Sequence, residues 1–254
     1  MPISPRQAVE VFHLHFLRLL TAGADRGLYT LKGGINLRFF FKSVRFSDDL
    51  DIDVTVAAKG TIKAKVDKLL AGRPLQVLLG GAGIAIQEAT APKQTDTTQA
   101  WKIALQVQGS SAPLRTKIEL SRRPSAGETR FEAVDRVLAQ GYRLTPPLVS
   151  HYTAAAALVQ KLGALAGRAQ PQARDVFDLH LLMAHVDSKL RLPAATRSLL
   201  PRAALHAIGF SYDDYRAQVV AFLEPEQQEM LGSRAHWDEM QTAVVEFIEG
   251  LAKP

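Results

Sequence analysis

Residues 45–56 read Arg-Phe-Ser-Asp-Asp-Leu-Asp-Ile-Asp-Val-Thr-Val, and from Asp49 onward polar and apolar residues alternate strictly. Period-two alternation marks a strand whose successive side chains point to opposite faces. The expected strand spans residues 49–56, with Asp49, Asp51 and Asp53 on one face and Leu50, Ile52, Val54 and Val56 on the other. Carboxylates in a row repel one another and suit a strand poorly. The face therefore calls for a positive partner. Oxygen donors in a chain with no cysteine point to Mg2+ or Mn2+. A solvated edge face, charged to block aggregation, is the competing reading.

Upstream, the apolar stretch 28–31 runs into Lys32-Gly33-Gly34 and then into an expected helix over residues 35–42. Glycines permit a tight turn and a close backbone approach. A helix N-terminus adds free N–H groups and a positive dipole end, which together suit a phosphate. A glycine turn before a helix, followed by a strand bearing paired carboxylates, supplies phosphate donors and cation ligands. Phosphoryl transfer needs both.

Elsewhere in the first part, helical spacing runs over residues 7–22 and 63–70, and strands are expected at 84–86, 101–107 and 114–120. Pro146-Pro147 marks a boundary. Beyond it the pattern turns helical over residues 150–166, 172–186, 214–222 and 235–251. The expected organisation is an α/β (α+β) domain over residues 1–145 and a helical domain over 146–254. Gly80-Gly81-Ala82-Gly83 reads as a turn, since it lacks both the Walker lysine and the dinucleotide-binding spacing. His13, His15, His180 and His185 stand without partners at ligand spacing and read as core or surface residues. Phe39-Phe40-Phe41 reads as core packing.

Composition narrows the function. With no cysteine in 254 residues, disulfides, thiolate zinc sites, iron–sulfur clusters and cysteine nucleophiles are excluded. No apolar stretch is long enough to span a bilayer and the N-terminus lacks a leader pattern, so a soluble cytoplasmic protein without membrane association is expected. Lys and Arg outnumber Asp and Glu by 31 to 25, a balance that suits a polyanionic partner such as RNA or a nucleotide.

Lys-Gly-Gly-Ile-Asn-Leu-Arg (32–38) followed by Arg-Phe-Ser-Asp-Asp-Leu-Asp (45–51) resembles the AbiEii/AbiGii nucleotidyltransferase toxins, of the polymerase-β-like superfamily. Gln-Lys-Leu-Gly-Ala-Leu (160–165) and Arg-Asp-Val-Phe-Asp-Leu (174–179) resemble that family's later lysine-containing and Arg-Asp-x-x-Asp-Leu helices. The resemblance covers about residues 28–185. It implies a polymerase-β-like core with a mixed sheet, Asp49 and Asp51 as the metal-binding pair, and Gly33 and Gly34 as the phosphate turn. Lys161 and Asp175 match the later basic and acidic positions, as catalytic residues. The wider superfamily usually carries Gly-Ser in the turn; Gly34 removes that hydroxyl, and the gap to the aspartates is longer here. A third carboxylate often completes such a metal site. Glu119, sharing a face with Arg115 and Lys117, is the candidate, and Asp53 competes with it. Lys32, Arg45 and Ser47 are candidate substrate-binding residues. Arg45 contacts phosphate or balances Asp48 and Asp49, and Ser47 bonds phosphate or caps the strand entry. On a helix, Arg174 is placed to pair with Asp178.

The implied activity is Mg2+- or Mn2+-dependent transfer of NMP from an NTP to an acceptor hydroxyl, with release of pyrophosphate. The implied acceptor is an RNA such as tRNA, and the implied setting is an abortive-infection or toxin–antitoxin pair with a cognate antitoxin. A small molecule or a protein is the alternative acceptor. Asp51-Ile52-Asp53-Val54-Thr55 also fits the Asp-x-Asp-x-Thr motif of haloacid-dehalogenase-type phosphatases, but Ser47-Asp48-Asp49 precede it where that motif follows a hydrophobic run. A binding protein that kept the fold without the chemistry is the non-enzymatic reading, and the complete aspartate pair argues against it.

Overall fold

A computed structural model describes residues 3–23, 26–55, 57–123, 127–187 and 190–253. The chain forms two compact units, residues 1–40 with 46–151 and residues 41–45 with 152–254.

In the first unit the order is α1 (Pro5–Leu20), β1 (Tyr29–Lys32), α2 (Gly33–Phe40), β2 (Asp49–Val54), α3 (Lys59–Ala71) and α4 (Arg73–Gly80), then β3 (Ile84–Gln94), β4 (Thr98–Val107), β5 (Leu114–Ser121), β6 (Thr129–Ala133), α5 (Arg136–Gly141) and β7 (Leu148–Tyr152), whose last residue falls in the second unit. The strands form one seven-stranded mixed sheet in the order β3-β4-β5-β2-β1-β7-β6. β2 runs antiparallel to β1 and parallel to β5, so the aspartate strand lies in the middle of the sheet. That position rules out the edge-strand reading. Its apolar side is committed to the core: Leu50 and Ile52 are fully buried and Val54 nearly so. Val56, expected to continue the strand, lies outside the described residues.

Each element follows from local chemistry. Ser4 and Gln7 form a reciprocal capping box at the start of α1, with Pro5 at its first turn, which satisfies N–H groups the helix leaves open. Buried Glu10 on α1 accepts from Arg38 Nε of α2 at 2.6 Å and from the Tyr142 hydroxyl at 2.6 Å. His13 is buried without exposure; its Nε2 lies 2.8 Å from the Thr116 hydroxyl of β5, which itself donates to the Asp48 carbonyl. One relay thus runs from α1 through β5 to the residue before Asp49.

The second unit holds α6 (Ala154–Gly167), α7 (Ala173–Met183), α8 (Ala194–Arg197), α9 (Leu200–Ile208), α10 (Tyr212–Gln218), α11 (Pro225–Leu231) and α12 (Arg234–Ala252). Its interior is formed by apolar stripes such as Val176, Leu179 and Leu182 of α7 and Trp237, Met240, Val244 and Ile248 of α12.

Several expectations are corrected. Residues 150–152 belong to β7 and not to a helix; the helix begins at Ala154, where the Thr153 side chain caps the Ala156 N–H. β6 gave no signal because all five of its residues are exposed, so it carries no apolar alternation. Short α4 and α9 escaped although each buries apolar residues at helical spacing, because runs of 8 and 9 residues show too few turns of the pattern. His13 and Phe39 are core residues, as read.

Burial pushes the His13 imidazole from its ordinary 6.5 down to about 3, so the folded chain keeps it neutral while the unfolded chain takes up a proton below about pH 6.5. Stability from this group is therefore complete above that pH and declines between it and about 3. Against His13→Gln, which does not titrate, the parent is expected to lose about 2 kcal/mol between pH 7.5 and 5. Urea melts at the two pH values check this; parallel pH dependence of the two proteins contradicts it.

Candidate active site

The polar face of β2 is built by its neighbours. Pairing places Asp49 opposite Lys117 and Asp51 opposite Glu119 on β5, and Asp51 opposite Lys32 on β1. The Lys117 ammonium lies 3.3 Å from Asp49 Oδ2 and 3.2 Å from Glu119 Oε2. Asp53 is held by Lys32 at 2.5 Å. The turn into α2 closes on the same spot. Gly33 has φ +67°, and a Cβ there would fall 2.7 Å from Asp51 Oδ2. Only glycine combines that backbone angle with that approach.

Electrostatics mark Asp51 out. Burial raises its carboxyl above the ordinary range, Asp49 and Glu119 add to the rise, and Lys117 and Lys32 oppose it. Lys117 is itself raised: burial would lower it, but Asp49 and Glu119 outweigh that. The face is short of positive charge even with two lysines beside it.

The donor set suits a hard divalent cation. Asp49 and Asp51 are same-face carboxylates beside a glycine turn. Among the described residues no group of three or more acidic or imidazole side chains is placed to hold a metal ion unaided. Mg2+ is commonly held by one or two carboxylates plus phosphate and water oxygens, which is the set a nucleotide bound here would complete. Glu119 stands in register with Asp51, with its carboxylate accepting from Lys117.

Of the other expected residues, Lys161, Asp175 and Arg45 gather in the second unit and Ser47 stays in the first. Lys161, expected at a triphosphate, is buried, with its ammonium 3.0 Å from Asp175 Oδ1 and 2.5 Å from Asp178 Oδ2. Arg168 also pairs with Asp175. Arg45, expected at phosphate or beside Asp48 and Asp49, is buried and places Nη2 3.1 Å from both oxygens of Asp178. Asp175 and Asp178 are wholly buried. Burial would raise the Asp178 carboxyl, but Arg45 and Lys161 outweigh it and hold it below the ordinary range. Arg174 does not reach Asp178 as its spacing suggested; its Nε donates to Gln172. Ser47 donates to the Asp49 carbonyl at 3.0 Å, which is the strand-entry arrangement.

Sequence reading missed two groups. Lys117 was seen on the Glu119 face but not as the counter-ion of Asp49; the alternation of β5 contained that signal. His151 of β7 stacks on Phe40 at 3.6 Å, with Nδ1 3.0 Å from Asn36 Oδ1 and Nε2 2.9 Å from Glu132 Oε1. It ties α2 to β7 and β6. No spacing in the sequence announced that pairing.

The family described as Nucleotidyl transferase AbiEii toxin, Type IV TA system, matches residues 15–250. JHP933 from Helicobacter pylori is similar in fold at 17% identity and TM-score 0.60, covering 98% of this chain and 95% of that one. MenT4, a nucleotidyltransferase toxin from Mycobacterium tuberculosis H37Rv, is similar at 17% identity and TM-score 0.62, covering 97% of this chain and 86% of its own. None of the curated proteins matches the sequence. The match over residues 15–250 places this chain in the AbiEii nucleotidyltransferase toxin family.

Proposed function

We propose that the protein transfers NMP from an NTP to an acceptor hydroxyl of an RNA such as tRNA, as the toxin partner of a cognate antitoxin acting in the cytoplasm in phage defence. The carrying observation is the contact between the Gly33 turn and the Asp51 carboxylate, which brings phosphate donors and cation ligands together. The toxin family and the excess of positive charge support the RNA acceptor. Among the described residues no helix is long and apolar enough to cross a membrane.

In this reading the acceptor oxygen attacks the α-phosphorus, an oxygen–phosphorus bond forms, and the bond to pyrophosphate breaks as the hydroxyl proton is released. Asp49 and Asp51 would hold Mg2+ or Mn2+, which would supply charge neutralisation and activation of the hydroxyl. Gly33 and Gly34 present N–H groups at the start of α2 to the phosphates. Lys32, partly exposed beside Asp53, faces the same charge. Lys117 holds Asp49 and Glu119 in place, and Ser47 fixes the entry of β2. Lys161, Asp175 and Arg45 act as positioning residues through their buried ion network.

Incubation with Mg2+, each α-labelled NTP in turn and total cellular RNA tests the reading. Label is expected to enter RNA with one NTP and to vanish with Asp49→Ala. RNA labelling that persists in Asp49→Ala contradicts the assignment of the site, and label entering a small molecule or protein contradicts the acceptor.

The positioning role makes a separate prediction. Lys161→Met removes one of the two cations that each of Asp175 and Asp178 meets, at a cost of about 2 kcal/mol. Calorimetry is expected to show a lowered melting temperature, while the KM for NTP, measured well below it, stays within about twofold of the parent. A KM raised manyfold with unchanged melting would place Lys161 at the nucleotide instead.

A further inference from the structure

β5, β4 and β3 continue the sheet outward from Asp49 and Asp51, and their register determines what stands beside the carboxylates. Lys117 is opposite Lys102 on β4, Arg115 opposite Ala104, and Glu119 opposite Ala100. On β3, Thr90 is opposite Lys102, Lys93 opposite Ala100, and Glu88 opposite Ala104. Residues paired across strands share a face, so Arg115, Lys117, Lys102 and Lys93 stand on the face that carries Asp49, Asp51 and Glu119. The opposite face, with Trp101, Ile103, Leu105 and Ile118, is buried in the core.

This polar face is open. Lys93, Lys102 and Arg115 are exposed, and among the described residues none of their side chains makes a hydrogen bond or ion pair. Ala100 and Ala104 lie between them, and Glu88 is the one acid on β3 and β4 that shares this face. Among the described residues of these strands no aromatic side chain stands there. The cations spread over β5, β4 and β3, about 10 Å across at ordinary strand spacing. That is broader than one triphosphate bound at the aspartates and suits a succession of phosphates.

We propose that this face of β3, β4 and β5 is the track on which the acceptor RNA lays its phosphate backbone, leading its reactive hydroxyl to Asp49 and Asp51. The inference rests on the RNA-acceptor reading above. Cations without aromatic platforms hold backbone and not bases, so the track is tolerant of sequence, and selection of the acceptor falls to other parts of the protein.

Binding of fluorescent total tRNA to the full chain, titrated across salt, tests the track with Lys93→Gln, Lys102→Gln and Arg115→Gln combined. Each lost phosphate contact removes about 0.7–0.9 from the salt slope, so the slope is expected to fall by about 2 and the affinity at low salt by at least about tenfold. The KM for RNA rises in the transfer assay while the KM for NTP does not. A control combining Lys68→Gln, Arg73→Gln and Arg136→Gln, exposed cations on α3, α4 and α5, removes equal charge and is expected to leave both unmoved. Unchanged slope in the first variant, or equal loss in the control, overturns the track and leaves the RNA acceptor standing. Failure of the parent to bind RNA at low salt, with label entering a protein or small molecule, overturns both.

Discussion

The mutual repulsion of carboxylates on β2 is the constraint around which the first unit is arranged. Asp51 is half-buried beside Asp49 and Glu119, an arrangement that destabilises the folded chain unless positive charge is near. The fold pins these groups in a central strand whose other face is core, so they cannot separate. Lys117 and Lys32 reach in from the strands on either side. The His13–Thr116–Asp48 relay fixes the start of the strand, and Gly33 brings the α2 turn against the carboxylate. Charge crowding that folding alone would disfavour is thus maintained from four directions. Such crowding is a common mark of a site that binds a cation.

The second unit solves a related problem in the opposite way. Asp175 and Asp178 are buried completely, yet Lys161, Arg168 and Arg45 meet them. Here each carboxylate is met by two cations, and a paired buried network gives geometry more than net stability. Arg45 is notable because residues 41–45 belong to this unit although they lie between α2 and β2. The segment joining the glycine turn to the aspartate strand is therefore anchored by Asp178.

Much of this was legible beforehand. The alternation of Asp49 to Val54 gave strand, face and chemistry together, because burial of Leu50, Ile52 and Val54 enforces period two. The glycine turn gave α2. Central placement of β2 was not legible, since alternation cannot tell a middle strand covered on one side from an edge strand. β6 and β7 were lost for different reasons: β6 buries nothing, and the Leu148–Tyr152 strand adjoins an alanine-rich helix whose periodicity absorbed it. Among site residues, Lys161 was read at a triphosphate and Arg45 at phosphate or beside Asp48 and Asp49, because the sequence shows charge and not burial. Their partners lie 14 and 133 residues away, beyond the reach of local spacing.

Thermal unfolding of the parent and of Asp51→Asn, each with and without Mn2+, addresses the central claim directly. Burial and like charge raise the Asp51 carboxyl, so its ionised form opposes folding at neutral pH. Without metal, Asp51→Asn is expected to melt above the parent. With millimolar Mn2+ the order reverses, because only the parent gains the free energy of binding. A variant that melts below the parent in both conditions, with Mn2+ moving the two equally, would mean that Asp51 is a structural ion-pair partner and that the carboxylate face is not kept for a cation.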